Sequence, residues 1–210
     1  MLVLASAGLV RADVIFTNGA LSSVDGNEMS GWIQANAFTL NDTSRITGVS
    51  FYALALTQAV YNGSIDWGFY ADESGTPGEL LVTGLQTVTA VDAGPAELED
   101  YELFRFDFAL SEGFVATGGT QYWLGLHNGS LEGDENSGLY MAFATSGAAG
   151  QEKYLLGEGF TGNENPHWFE LKGVAITPEP GTWMLAAGAL GLIAMRVRRR
   201  GSSAKFRGVV

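Results

Sequence analysis

Apart from its acids, this 210-residue chain has few side chains that could do catalytic or metal chemistry. It contains no cysteine, which excludes disulfides and thiolate metal sites. Its two histidines, His127 and His167, are 40 positions apart and favour turn capping or backbone hydrogen bonds over metal ligation. No Gly-x-Ser-x-Gly elbow and no Walker glycine–lysine pattern occurs. With 23 acids, carboxylate pairs arise by chance and do not indicate a glycosidase. The sequence therefore predicts no enzyme.

One loop contains the oxygen ligands that calcium prefers. The loop reads Glu132-Gly133-Asp134-Glu135-Asn136. Carboxylate and amide oxygens bind Ca²⁺, but the spacing lacks the order of Asp, Gly and terminal Glu found in an EF-hand. Two interpretations stay open, a solvated acidic loop and a weak calcium site. No other cofactor is predicted.

Trp123 and Trp168 are the candidates for stacking on sugar rings. An exposed ring offers a flat apolar face, whereas the large area of tryptophan favours burial in a core. Trp123 lies between Tyr122 and Leu124, and the sequence does not decide which side is buried. Both interpretations stay open, with core packing favoured for each ring.

The last 34 residues contain three segments of different physical character in a fixed order. Pro178 and Pro180 hold Glu179 in extended backbone, because proline fixes its own φ and disfavours helix at the preceding residue. Residues 183–197 are apolar except for one arginine, and a helix of that length spans about 22 Å. That is shorter than the roughly 30 Å hydrocarbon core. The segment ends in a cationic stop made of Arg196, Arg198, Arg199 and Arg200.

These features predict a short transmembrane helix at residues 183–197 and a basic cytoplasmic tail at 198–210. The arginines are expected on the cytoplasmic side of the inner membrane by the positive-inside rule. The alternative is a C-terminal core helix followed by a basic surface patch. The absence of a polar face along the helix argues against that alternative.

In this order, the Pro-Glu-Pro motif, the apolar helix and the arginine cluster resemble the PEP-CTERM sorting signal. Such signals occur on exported proteins of Gram-negative bacteria that make exopolysaccharide. The resemblance implies recognition by an exosortase, a membrane-embedded cysteine transpeptidase-like enzyme, with processing in residues 177–182. It covers roughly residues 177–200, and the extension at 201–210 departs from the usual pattern.

The other end of the chain resembles the back half of a signal peptide. Residues 2–10 form an apolar run, and Val10-Arg11-Ala12 offers a cleavage site before Asp13. The positively charged first region of a signal peptide is missing, so we interpret residues 1–12 as a remnant. An N-terminal β-strand is the alternative.

Residues 13–176 are predicted to form one strongly acidic domain. This region contains 22 of the 23 acids and only four of the 11 bases, which gives a formal charge of −18. Such a surface excludes nucleic-acid binding through phosphates. Without disulfides, the core alone must supply the stability of the domain.

Short apolar runs separated by turn residues predict about nine strands and an all-β fold. The alternation is clearest at residues 64–71 and 101–110, and residues 121–127 are also predicted to be a strand. Residues 50–61 are ambiguous between strand and helix. The spacing favours an antiparallel β-sandwich, jelly-roll-like. The segments 68–72, 75–80 and 122–124 also resemble a body domain of PEP-CTERM proteins, which implies a carbohydrate-module-like sandwich.

Together these patterns predict an exported, non-enzymatic surface or extracellular-matrix protein. The expected location is the inner membrane for the precursor and then the cell surface or the extracellular space. The expected partners are an exosortase, the inner membrane and exopolysaccharide, with no nucleic acid. The alternative is a carbohydrate-binding module that adheres to exopolysaccharide.

Overall fold

The chain folds as two antiparallel β-sheets packed face to face, which confirms the prediction of an all-β, sandwich-like fold. The structure, a computed structural model, describes residues 12–131 and 137–176. All described strands lie in the first of the two units into which the chain divides, Met1–Ala175. Every pairing between these strands is antiparallel.

Thirteen strands occur in the described residues, seven in one sheet (sheet A) and six in the other (sheet B). Sheet A contains β1 (Asp13–Thr17), β2 (Leu21–Glu28), β4 (Ser44–Ala55), β7 (Val91–Pro95), β8 (Glu102–Ala116), β10 (Tyr140–Ala144) and β13 (Phe169–Ala175). Sheet B contains β3 (Trp32–Thr39), β5 (Ser64–Asp72), β6 (Pro77–Thr87), β9 (Gln121–Asn128), β11 (Gln151–Tyr154) and β12 (Thr161–Gly162).

The chain passes repeatedly between the two sheets, so most neighbouring strands are far apart in sequence. In sheet A the order is β1-β13-β4-β10-β2, and β8 pairs with both β4 and β7. In sheet B the order is β12-β11-β3-β9-β5-β6. The first strand, β1, and the last strand, β13, are therefore hydrogen-bonded neighbours in sheet A.

Aromatic side chains fill the space between the sheets. Phe51 of β4 stacks on Phe106 of β8 with ring centroids 4.7 Å apart. Phe69 of β5 stacks on Phe114 of β8 across the sandwich, also at 4.7 Å. Stacked aromatic pairs add about 0.5–1.5 kcal/mol beyond the burial of their area. Because the chain has no disulfides, packing of this kind must stabilise the domain.

Alternation sets which side chains reach this core. Trp67 and Phe69 point inward from β5, as the sequence predicts, and both are buried. The residues that alternate with them, Asp66, Gly68 and Tyr70, therefore face away from the core on the outer face of sheet B. This outer face carries the candidate site described below.

Hydrogen bonds from polar side chains and from the backbone hold the segment that contains β11 and β12 against sheet B. Asn163 donates from Nδ2 to Oε1 of Gln34 at 2.8 Å, and the Gly150 amide donates to the Asn165 carbonyl at 2.9 Å. Nδ1 of His167 lies 2.6 Å from Oδ1 of Asn36. These bonds fix both ends of the β11–β12 hairpin, whose tip lies over the outer face of the sheet.

The ambiguous segment at residues 50–61 is mostly strand. It lies in β4 up to Ala55, and a single 3₁₀ turn follows at Gln58–Val60. Thr57 caps this turn by accepting the amide of Ala59 on its hydroxyl at 3.3 Å. Strands β2, β11 and β12 were not predicted from the sequence.

Among the residues that the structure describes, no helix is long and apolar enough to cross a membrane. The predicted signal-peptide residues 1–11, the predicted transmembrane helix at 183–197 and the tail at 198–210 lie outside those residues. The predicted helix and tail therefore remain expectations.

Candidate functional site

Sheet B carries a small aromatic cluster on its outer face, separate from the core between the sheets. This outer-face cluster consists of Ala35, Ala37, Tyr70 and Trp123, with Phe160 packed against it. Tyr70 on β5 is the direct cross-strand neighbour of Trp123 on β9. The cluster therefore buries two large aromatic side chains on the face of sheet B opposite the core.

Two glycines form the floor beneath the Tyr70 ring. Gly68 of β5 and Gly125 of β9 are cross-strand partners. A Cβ atom on Gly125 would lie 2.9 Å from Cε2 of Tyr70, and one on Gly68 would lie 3.2 Å from the same atom. Because neither position carries a side chain, the ring can come close to the backbone of the sheet. Glycine within a strand marks such a close approach.

Tyr70 is buried, and its hydroxyl has no hydrogen-bond partner in the described part of the chain. The side chain is 9% exposed, and none of the residues at 12–131 and 137–176 forms a hydrogen bond to its hydroxyl. Burial, with a smaller contribution from the charge of Asp66, raises the pKa of Tyr70 to about 12. An unpaired buried hydroxyl costs about 1–3 kcal/mol, so this group calls for an explanation.

Asp66 lies two residues before Gly68 and four before Tyr70, on the same face of β5, and it is half-buried. Burial raises the pKa of Asp66 to about 6, although the neighbouring His127 and a hydrogen bond with Thr83 oppose the rise. A hydroxyl donor and a carboxylate acceptor are thus placed on one face with Gly68 between them. The pair can bind a ligand that carries hydroxyl groups.

At the other end of the cluster, a network of hydrogen bonds fixes Trp123. Its Nε1 donates to Oδ1 of Asp72 at 2.8 Å, and Nε2 of Gln121 donates to the same oxygen at 2.7 Å. The bond from Trp123 is the largest of the contributions that lower the pKa of Asp72. Asp72 therefore stays ionised and holds the indole in one orientation.

The tip of the β11–β12 hairpin covers the cluster. Phe160 meets Tyr70 edge to face, with ring centroids 5.3 Å apart. The tip itself has few bonds: the Leu155 amide donates to the Gly31 carbonyl at 3.1 Å, and the Gly157 amide donates to the Tyr154 carbonyl at 2.8 Å. Leu156 at the end of the tip is 87% exposed.

The structure corrects the sugar-stacking roles considered for Trp123 and Trp168. Trp123 is 3% exposed and Trp168 is 7% exposed, so neither ring presents a free face to a sugar. Trp168 packs instead against Tyr52 on the outer face of sheet A, with centroids 4.8 Å apart. Both rings are instead packed inside the protein, which is the interpretation that the sequence favoured.

Both histidines are buried and hydrogen-bonded to the protein. The ring nitrogens of His127 lie 2.7 Å from the Ser30 carbonyl and 3.2 Å from the Gly129 carbonyl. His167 contacts the side-chain oxygens of Asn36 and Asn27, and burial lowers its pKa to about 3. The described residues contain no group of three or more His, Asp or Glu that could hold a metal ion.

The remaining predicted site residues lie outside the described part of the chain. These are the calcium candidates Glu132, Asp134 and Glu135, the sorting motif Pro178, Glu179 and Pro180, and the arginines Arg196, Arg198, Arg199 and Arg200.

The outer face of sheet A carries two of the four basic side chains of the domain, Arg105 and Lys172, both in ion pairs. Asp107 accepts hydrogen bonds from Nε of Arg105 and Nζ of Lys172, each at 2.7 Å. Burial alone would raise the pKa of Asp107, but these bonds and one from Ser50 outweigh it and lower the pKa well below its usual range. Because these charges are paired internally, they leave little capacity to bind an anion.

No protein-family model matches this chain, and no curated protein matches it.

Proposed function

We propose that this chain is an exported, non-enzymatic protein of the cell surface or extracellular matrix that an exosortase releases from the inner membrane. One observation carries the proposal. The Pro178-Glu179-Pro180 motif, the apolar residues 183–197 and the arginine cluster follow one another in the order of a PEP-CTERM signal. Each segment has a separate physical task, namely exposure to a protease, insertion into lipid and a cationic stop.

The position of the last strand supports processing at this motif. Strand β13 pairs with β1 on one side and β4 on the other, so it is an interior strand of sheet A. It ends at Ala175, three residues before Pro178. Cleavage near the motif therefore leaves every described strand in the released part. A domain that keeps its whole sheet can leave the membrane folded.

The proposal also includes a membrane-spanning helix in the precursor and a jelly-roll type of sandwich. In the precursor, residues 183–197 are a single transmembrane helix and residues 198–210 remain in the cytoplasm. The sandwich is of the jelly-roll type, which the repeated passage of the chain between sheets favours. Residues 13–176 of the released part carry the formal charge of −18, which favours solubility.

Processing of a Glu179→Ala variant tests the proposal. The full chain and the variant are produced in a Gram-negative host that contains an exosortase, and inner-membrane and extracellular fractions are compared. We expect the variant to accumulate as a longer precursor in the inner membrane. Glu112→Ala, an exposed acid on β8, is the matched control and should be released like the parent. Equal release of the parent and the Glu179 variant would contradict the proposal.

A further inference from the structure

The outer face of sheet B contains a buried tyrosine whose hydroxyl is unpaired within residues 12–131 and 137–176. The Tyr70 hydroxyl lies 3.3 Å from the position that a Cβ atom on Gly68 would take, directly above the backbone of the sheet. A hydroxyl in this place, with no hydrogen-bond partner among the described residues, points to a ligand or a water molecule that completes it.

The surroundings of this hydroxyl combine apolar walls with one acceptor. Leu80 and Ile33 flank the glycine floor, at 2.9 Å and 3.0 Å from the Cβ positions of Gly68 and Gly125. Asp66 supplies a carboxylate at the open end. Apolar walls with a few convergent polar groups are typical of small-molecule sites. A sugar ring, with its apolar C–H face and its hydroxyl edge, fits this combination.

The charge of the domain selects among sugars. The region carries −18, and Asp66 itself lies in the site. A negatively charged saccharide would be repelled by both. The site therefore favours a neutral sugar, which can donate a hydroxyl proton to the carboxylate and accept one from Tyr70.

Phe160 occupies the position from which such a ring would approach. It reaches Tyr70 from a tip that contains Gly157 and Gly159, and an added Cβ on Gly159 would meet nothing within 4 Å. The base of the hairpin is fixed by its two strand pairs at Gln151 and Glu152. Displacement of Phe160 from the cluster therefore requires a movement of the tip alone, with the base of the hairpin kept in place.

We propose that Tyr70 and Asp66 form a binding site for a neutral sugar unit of a polysaccharide, and that Phe160 fills this site until the sugar displaces it. The choice of a polysaccharide rests on the proposed function, since an exported matrix protein meets such polymers. The sugar packs on the Tyr70 ring in place of Phe160. Trp123 packs beside Tyr70 as its cross-strand neighbour and does not itself stack on the ligand.

Three variants separate the parts of this proposal. Tyr70→Phe removes only the hydroxyl, and Asp66→Asn removes only the charge. Phe160→Ala removes the ring that competes with the ligand. Leu156→Ala, at the exposed end of the same tip, is the matched control because its side chain does not touch the cluster.

Affinity electrophoresis of the full chain measures binding, with a β-glucan, a galactomannan and a xylan as neutral probes and alginate as the acidic probe. Any detergent must lack a sugar headgroup. We expect retardation by at least one neutral probe, with a dissociation constant roughly threefold to tenfold lower for Phe160→Ala, because the aromatic pair no longer competes. Tyr70→Phe should bind about threefold to tenfold more weakly, and Asp66→Asn about tenfold or more. Leu156→Ala should bind like the parent.

Two results would overturn the inference. The first is the absence of retardation by every neutral probe even for Phe160→Ala, including the case in which only alginate binds. The second is binding that Tyr70→Phe leaves unchanged while urea unfolding shows this variant to be folded. Neither result depends on processing. A chain that is processed but binds no neutral probe contradicts this inference alone, whereas a chain that binds but is never processed contradicts only the proposed function.

Discussion

Replacing Asp66 with asparagine is expected to stabilise the domain at neutral pH and to change its stability in acid much less. Burial raises the pKa of Asp66 from 3.8 to about 6. The folded state therefore holds this proton more tightly than the unfolded chain does. The stability that the protonated carboxyl contributes is fully present below about pH 4 and is lost as the pH rises through about 6.

The size of the effect follows from the same shift. At about 1.36 kcal/mol per pKa unit, the rise corresponds to roughly 3 kcal/mol of unfolding free energy. Solvent reaches part of the side chain and screens its charge, so we reduce the expected effect to about 1–2 kcal/mol. Asparagine has nearly the same shape and carries no charge at any pH, so it removes the ionisation and little else.

Urea unfolding of the full chain and of the variant, followed by tryptophan fluorescence, measures this effect. We expect Asp66→Asn to be more stable than the parent by about 1–2 kcal/mol near pH 7 and by less than half of that near pH 4. Glu112→Gln, an exposed position on β8, should show no such dependence on pH. A difference that is equal at the two pH values, or a variant that is less stable near pH 7, would refute the reasoning.

Two further predictions concern the stability of sheet A. Gly173→Ala should lower the unfolding free energy by about 1–3 kcal/mol, because the added carbon collides with the Arg45 carbonyl, whereas Gly159→Ala, with open space around it, should leave the melting temperature unchanged. Asp107→Asn should lower stability by about 1 kcal/mol near pH 7 because Arg105 and Lys172 lose their carboxylate. Since the pKa of Asp107 is lowered by these bonds, its contribution is present above its usual pKa and is lost as the pH falls. Thermal unfolding near pH 7 and pH 3 should therefore show a smaller loss in acid, and an equal loss at both would contradict this prediction.

The central strands could be predicted because one face of each meets a packed core. In β5 and β8, apolar and polar residues alternate, and burial follows that alternation at Trp67 and Phe106. β2 could not be predicted in this way. It is an edge strand of sheet A with an irregular register, and half-exposed residues such as Ser22 carry no clear alternation.

The candidate site was only partly predictable. Trp123 was singled out from the sequence, but its burial depends on cover from Phe160, which is distant in the chain. Tyr70 lies on the face that alternation assigns to solvent, so no pattern marks it as buried. Gly68 and Gly125 are the one local signal, since glycine inside a strand indicates a close approach. Recognising that they face each other requires the strand register.

The intact mass of the mature protein tests the central claim most directly. The full chain is produced in a host with an exosortase, and the material recovered from the cell surface or the medium is measured by mass spectrometry. We expect a species that retains Ala175 and lacks everything after roughly Thr182, whereas precursor from the inner membrane retains Val210. Mature surface material that still carries Val210 would contradict the account.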